Sequence, residues 1–198
     1  PSYFSLSLRV FILILLNTVY LYTVASHDLI NKSMSNVREH IGFEHVVLQR
    51  YRSDLAAWLG RMDFNVGLTL NFNQPSSLSH ARKKVGDLFF RVDRKLIGAR
   101  FHRKPKLRTA GVFFFEHVDT NIHCHGLIRV RDEAMHAFKE LFPDDDCGLW
   151  SNVCSSGSHH ISAGADMETA AYYITKEQKP WTDPATTLWL DEFHSPGQ

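Results

Sequence analysis

The sequence predicts an α+β fold, and three observations carry that prediction. Phe64 to Phe72 alternates strictly between apolar and polar side chains, as a half-buried strand does. Two further strand-like segments, Gly111 to Glu116 and Ile122 to Val130, are separated by the short turn-forming stretch His117 to Asn121. Around them lie runs whose apolar residues recur at helical spacing. With 198 residues, 44% hydrophobic and 22% charged, the chain can bury the core of one domain.

Residues 1–33 form an apolar N-terminal extension. Leu6 to Ala25 is nearly long enough to span a bilayer but is interrupted by Arg9 and Asn17. The chain begins at Pro1, and its first methionine is Met34. Three readings stay open: a stretch upstream of the native start, a membrane-associated segment, or a buried helix. Residues 34–63 are then an N-terminal helical segment, 64–180 the main domain and 181–198 a short tail. Three cysteines, Cys124, Cys147 and Cys154, fit no familiar disulfide spacing. They suit a reducing, cytoplasmic compartment.

From Val37 to Leu59 the pattern is an amphipathic helix stopped by Gly60. The strand from Phe64 points Val66, Leu68 and Leu70 one way and Asn65, Gly67, Thr69 and Asn71 the other. A second helix, about Leu78 to Ile97, carries Val85, Leu88, Phe89, Val92 and Leu96 on one stripe. Between Arg82 and Arg108 there are eleven Lys or Arg against two Asp, +9 in a chain whose net charge is +1. Arg82, Lys83, Lys84, Arg91, Arg94, Lys95, Arg100, Arg103 and Lys104 are the candidate DNA-binding residues of that window. The two strands follow, then a short helix at about Asp132 to Phe142, a strand near His160 to Ala163, and a helix from about Met167 to Gln178 with Asp166 as its N-cap.

In the strand around His123 and His125, both imidazoles face one way and Cys124 the other. Two imidazoles suit a divalent transition metal but leave it under-coordinated. If the strands form a hairpin centred on Asp119-Thr120, paired positions sum to 239 and Glu116 lies opposite His123 on the same face. A one-residue slip would turn it away. Glu116, His123 and His125 are therefore the predicted metal ligands, and His117 faces the other side in a structural role. Cys147, Cys154, His159 and His160 match no standard zinc spacing.

A nucleophile candidate lies in the last helix. Tyr173 stands three residues before Lys176, and Tyr172 four before. A phenol near pKa 10 attacks phosphate poorly unless a cation offsets the developing charge, and a lysine one turn away can hold the same phosphate. Adjacent helical residues point about 100° apart, so one tyrosine faces the metal. Tyr173 is the first choice and Tyr172, expected to pack, the second.

Leu68-Thr69-Leu70-Asn71-Phe72, then Glu116 with His123-Cys124-His125, then Tyr173-Ile174-Thr175-Lys176 resembles the three motifs of the HUH endonucleases, most closely the rolling-circle replication initiators (Rep proteins) of plasmids, phages and small circular genomes. The resemblance covers roughly Phe64 to Lys179. It implies a central antiparallel sheet with flanking helices (RRM-like) and metal-dependent nicking of single-stranded origin DNA. It also implies a 5′-phosphotyrosine intermediate and a free 3′-hydroxyl that primes synthesis. Glu116, His123 and His125 would then bind Mg²⁺ or Mn²⁺, Tyr173 would attack and Lys176 would assist. Cys124 is smaller than the aliphatic residue usual between the histidines. No G-x-x-x-x-G-K-[ST] occurs, so a separate helicase, and a DNA polymerase, are the implied partners. The motif order opposes a relaxase, and Lys176 favours an initiator over a transposase of the same class. From a different class, a non-catalytic single-stranded nucleic-acid-binding module would use the basic window and leave the histidines incidental.

Overall fold

A computed structural model of the chain describes residues 37–144, 148–164 and 166–194, excepting the side chains of 37–43. The apolar extension at 1–33 and Cys147 lie outside the described residues. The elements are α1 (Val37–Gly60), β1 (Val66–Asn71), α2 (Leu78–Ile97), β2 (Ala110–Glu116), β3 (His123–Arg129), α3 (Met135–Glu140), β4 (Ser158–Ala163), α4 (Met167–Ile174) and β5 (Thr187–Trp189). The strands form one antiparallel sheet in the order β4-β1-β3-β2-β5, flanked by helices. This is the α+β class the sequence predicts.

The chain divides into two compact units. The smaller comprises the chain up to Leu55 with Gln178–Thr182, and within it Arg52 Nε donates to the Gln178 carbonyl at 3.1 Å. The larger, Ala56–Glu177 with Asp183–Gln198, holds the whole sheet. The short tail expected after residue 180 therefore contributes a strand: β5 pairs with β2, placing Leu188 opposite Phe113. Among the described residues no helix is long and apolar enough to cross a membrane.

Alternation along the strands gives the sheet two faces of different character. On one, Val66, Leu68 and Leu70 of β1, Phe113 and Phe115 of β2, and Cys124 and Ile128 of β3 pack with Val85, Leu88, Phe89 and Val92 of α2 in the main core. Helix α2 begins where the Ser77 hydroxyl accepts the His80 N–H at 3.2 Å. It stops at Gly98, whose φ of 99° suits glycine and whose N–H returns to the Arg94 carbonyl. Asp93, fully buried on α2, pairs with Arg108 Nε at 2.8 Å and accepts the Thr109 N–H at 2.9 Å, fastening the entry to β2. The other face presents Thr69, Glu116, His123 and His125, with α4 packed against β3 and β1.

Large residues on β2 meet small ones on β3. Phe115 pairs with Cys124 and Phe113 with Gly126, and the Phe113 ring in turn lies 5.5 Å from that of Phe89. A Cβ on Gly126 would come within 2.3 Å of the Phe113 ring. The small residue after the second histidine, Gly126, is thus a packing requirement of this sheet, and Cys124 between the histidines faces Phe115.

Two stability measurements check this packing. Gly126→Ala is expected to cost about 1–3 kcal/mol by overpacking, read as a lower denaturant midpoint at unchanged m-value. His194 is held neutral down to about pH 4 by burial and by the neighbouring Arg108 cation, against the opposing pull of Asp93. Its folded pKa lies below the unfolded value, so stability is complete above about pH 6.5 and falls as pH drops toward 4. Relative to His194→Asn, wild type is expected to lose about 1–2 kcal/mol across that window in urea titrations at stepped pH, the partial exposure of the ring screening the rest.

Candidate functional site

The hairpin register places the polar groups of the site in two cross-strand rows. Glu116 pairs with His123 and Phe114 with His125, the register summing to 239 that the sequence predicts. On the other side of β3, Asn71 lies opposite His123 and Thr69 opposite His125. Cys124 points into the α2 core, where burial and, after it, the Glu116 charge push its thiol well above the ordinary range. It is not a ligand or nucleophile.

Of the three predicted ligands, Glu116 approaches both imidazoles. Glu116 Oε2 lies 3.4 Å from His123 Nε2 and 3.7 Å from His125 Nε2. Ligand atoms about 2.1 Å from one cation stand roughly 3–4 Å apart, so the Glu116 oxygen is spaced to share an ion with either imidazole, but His125 is not gathered with both others within 4.8 Å. The stronger indication is polar bookkeeping. Glu116 is 4% exposed; His125 Nε2 and both Glu116 oxygens are buried without a close hydrogen bond, and among the described residues the carboxylate has the Lys176 ammonium at 3.6 Å as its one cation. Buried carboxylates are costly unless paired or bound to a metal, and this cluster could hold one.

Thr69 orients the second imidazole. Its Oγ1 lies 2.9 Å from His125 Nδ1, which leaves Nε2 directed at Glu116. Burial first, then the Lys176 and His123 charges, lower the His125 pKa to about 4. The ring is therefore neutral at physiological pH, the form that binds metals.

His117 departs from the sequence reading, which turned it to the opposite face. The strand ends at Glu116 and His117 takes φ 53°, so alternation stops one residue early. A turn follows, with the Thr120 N–H on the His117 carbonyl. The His117 ring stacks on His123 at 5.2 Å and 22°. Among the described residues, Glu116, His117 and His123 are the group whose ligand atoms all lie within 4.8 Å of one another, and His125 joins through Glu116. His117 can therefore offer a further nitrogen. The polar turn Asp119-Thr120-Asn121 is the only hint of this in the sequence.

Helix α4 brings in the phenol. Asp166 caps it by accepting from the Glu168 N–H and the Thr169 hydroxyl. The helix ends at Ile174, not at Gln178 as predicted, because the Thr175 hydroxyl donates back to the carbonyls of Ala171 and Tyr172. Lys176 thus stands in the turn beyond the helix, its N–H on the Tyr173 carbonyl. Its ammonium lies 4.0 Å from the Tyr173 ring centre and 3.6 Å from Glu116 Oε2, an ion-pair distance. Burial draws the Lys176 pKa down, but Tyr173 and Glu116 outweigh it and the group remains a firm cation. The Tyr173 ring meets His125 edge-on at 5.4 Å and is 54% exposed. Tyr172, expected to pack, is instead 64% exposed and turned to solvent.

The basic window lies elsewhere. Helix α2 covers the opposite face of the sheet, so its cations do not line the cluster. Arg82 donates to the carbonyls of Ala185 and Thr187 and pairs with Glu192 at 2.7 Å, and Lys84 donates to the Val153 carbonyl. Both hold the fold together. Lys83, Arg91, Arg94, Lys95, Arg100, Arg103 and Lys104 are exposed. Among the described residues, Cys154, His159 and His160 do not assemble: Cys154 is buried with Sγ toward the Phe72 carbonyl, and His159 and His160 point to opposite faces of β4.

Thr69→Val, which removes the His125 support without touching a ligand atom, is expected to weaken Mn²⁺ binding about 10–100-fold in isothermal titration calorimetry. No protein-family model, curated protein or solved structure matches the chain.

Proposed function

We propose that the protein is a metal-dependent endonuclease and strand transferase that nicks single-stranded origin DNA through a 5′-phosphotyrosine intermediate, as rolling-circle initiators do. The observation that carries this reading is the meeting of Tyr173 and Lys176 with Glu116, His123 and His125 at one end of the sheet. Separately, each element has an ordinary structural explanation. Together they supply a nucleophile, a fixed cation and a ligand set for a metal.

The chemistry follows from placement. A divalent ion held by Glu116, His123 and His125 would withdraw charge from a non-bridging phosphoryl oxygen. One carboxylate with imidazoles suits Mn²⁺, and Mg²⁺ through the carboxylate. Tyr173 Oη attacks phosphorus, the bond to the 3′ oxygen breaks, and the proton lost by the phenol balances the one gained by the leaving hydroxyl. Lys176, one short turn from Tyr173, faces the phosphate from the side of the nucleophile and offsets its added negative charge. The exposure of Tyr173 leaves its hydroxyl open to a strand crossing the surface. Phosphotyrosine retains the energy of the phosphodiester, so a 3′-hydroxyl can reverse the step and rejoin strands. Helicase and polymerase would be separate cytoplasmic partners.

Labelled single-stranded DNA carrying hairpin-forming origin repeats, incubated with Mn²⁺, tests the reading. Wild type is expected to give a cleaved strand and an SDS-resistant protein adduct, both lost on chelation. Tyr173→Phe is expected to abolish the adduct while Tyr172→Phe keeps it, and Lys176→Gln to slow cleavage about 10²–10³-fold. An adduct that survives Tyr173→Phe and vanishes with Tyr172→Phe contradicts the assignment.

A further inference from the structure

We propose that the outer face of α2 is a second binding surface for single-stranded nucleic acid, across the sheet from the metal cluster. For its choice of ligand it rests on the reading of the protein as a DNA strand-processing enzyme. Lys83, Asp87, Phe90, Arg91, Arg94 and Lys95 fall at i, i+4, i+7, i+8, i+11 and i+12, one stripe along the helix. All of them are exposed. Arg82, Lys84 and Arg108, from the same basic window, are held by carbonyls or carboxylates of the fold.

Phe90 is the anomaly in this stripe. It is 51% exposed although α2 buries Phe89 beside it, and it stands edge-on against Phe101 at 5.1 Å. It forms a ridge between two open grooves, of which Asp87 and Phe90 are the common wall. One groove, about 650 Å³, is bounded by Arg91, Arg94, Lys95 and Leu149. The other, about 320 Å³, reaches Lys83 and Phe193, itself 42% exposed. Both are large enough to admit planar rings.

An aromatic ridge beside cations takes bases on the ring and phosphates on the basic groups, with little sequence preference. Arg94 and Lys95 follow Arg91 by one turn, so the three offer cations along the path of such a strand. Asp87 and Phe90 separate this ligand from others of the same charge. The Asp87 carboxylate accepts from the exocyclic amines of cytosine, adenine or guanine. A polyglutamate side chain offers this carboxylate no donor, and a lipid headgroup offers no flat ring to stack on Phe90. The sheet lies between this surface and Tyr173, so the segment held here is remote from the scissile bond. The surface therefore adds affinity for long strands and leaves the chemistry on short ones unchanged.

The test is fluorescence anisotropy in chelator with a labelled single strand of about 30 nucleotides, alongside Mn²⁺-dependent cleavage of one of about 8. Phe90→Ala is expected to weaken long-strand binding about 5–100-fold, with Phe90→Tyr restoring it. Neutralising Arg91, Arg94 and Lys95 together is expected to reduce the salt slope by about 2. Phe90→Tyr and the triple variant should melt as wild type does, and Phe90→Ala, which loses its contact with Phe101, within a few degrees of it. Unchanged binding by Phe90→Ala and the triple variant overturns the proposal, as does equal binding to polyglutamate or phosphatidylserine vesicles. If short strands are cleaved while these variants bind long strands normally, the surface falls and the nickase reading stands. If the variants weaken binding and no strand is cleaved, the surface stands and the nickase reading falls.

Discussion

The buried carboxylate of Glu116 is the constraint around which the functional face is arranged. It sits at the last residue of β2, hidden from solvent, with His123, His125 and Lys176 nitrogens at 3.4, 3.7 and 3.6 Å from one oxygen. Such a group is tolerable only where polar partners reach it, and every neighbouring element brings one, with the charge coming from Lys176. Strand β3 brings two imidazoles, β1 brings Thr69 to orient one of them, and the turn after α4 brings the ammonium. The phenol of Tyr173 is carried in with that turn.

What keeps Glu116 there is packing on the other side of the sheet. Phe113 over Gly126 and Phe115 beside Cys124 match large to small across β2 and β3, and a slip of one residue would destroy both pairs. It would also turn Glu116 into the α2 core. The apolar face thus sets the register that the polar face needs. Gly126 and Cys124, next to the histidines in sequence, serve the ligands from behind. The same division explains why the basic window, attached to the apolar face through α2, lies apart from the cluster.

Much of this was legible in the sequence because it depends on local periods. The alternation of Phe64 to Phe72 and the stripe of α2 appear where expected, and the 239 register follows from the short hairpin. Where a non-periodic contact decides, the sequence is silent. Strand β5 has three residues, too few to show alternation. Helix α4 stops early through a threonine hydroxyl bonding backward, though Thr175 in its sequence looks compatible with a helix. His117 takes a left-handed backbone that non-glycine residues seldom adopt, which brings its ring onto His123. The side of the sheet taken by α2 cannot be read from charge spacing at all.

The most direct measurement is a crystal structure from crystals soaked in Mn²⁺, with anomalous scattering recorded to locate the ion. The expected result is one peak within bonding distance of Glu116, His123 and His125, with Tyr173 facing its open side. An anomalous map with no peak at Glu116, and Lys176 still paired to its carboxylate, would contradict the metal centre and the chemistry built on it.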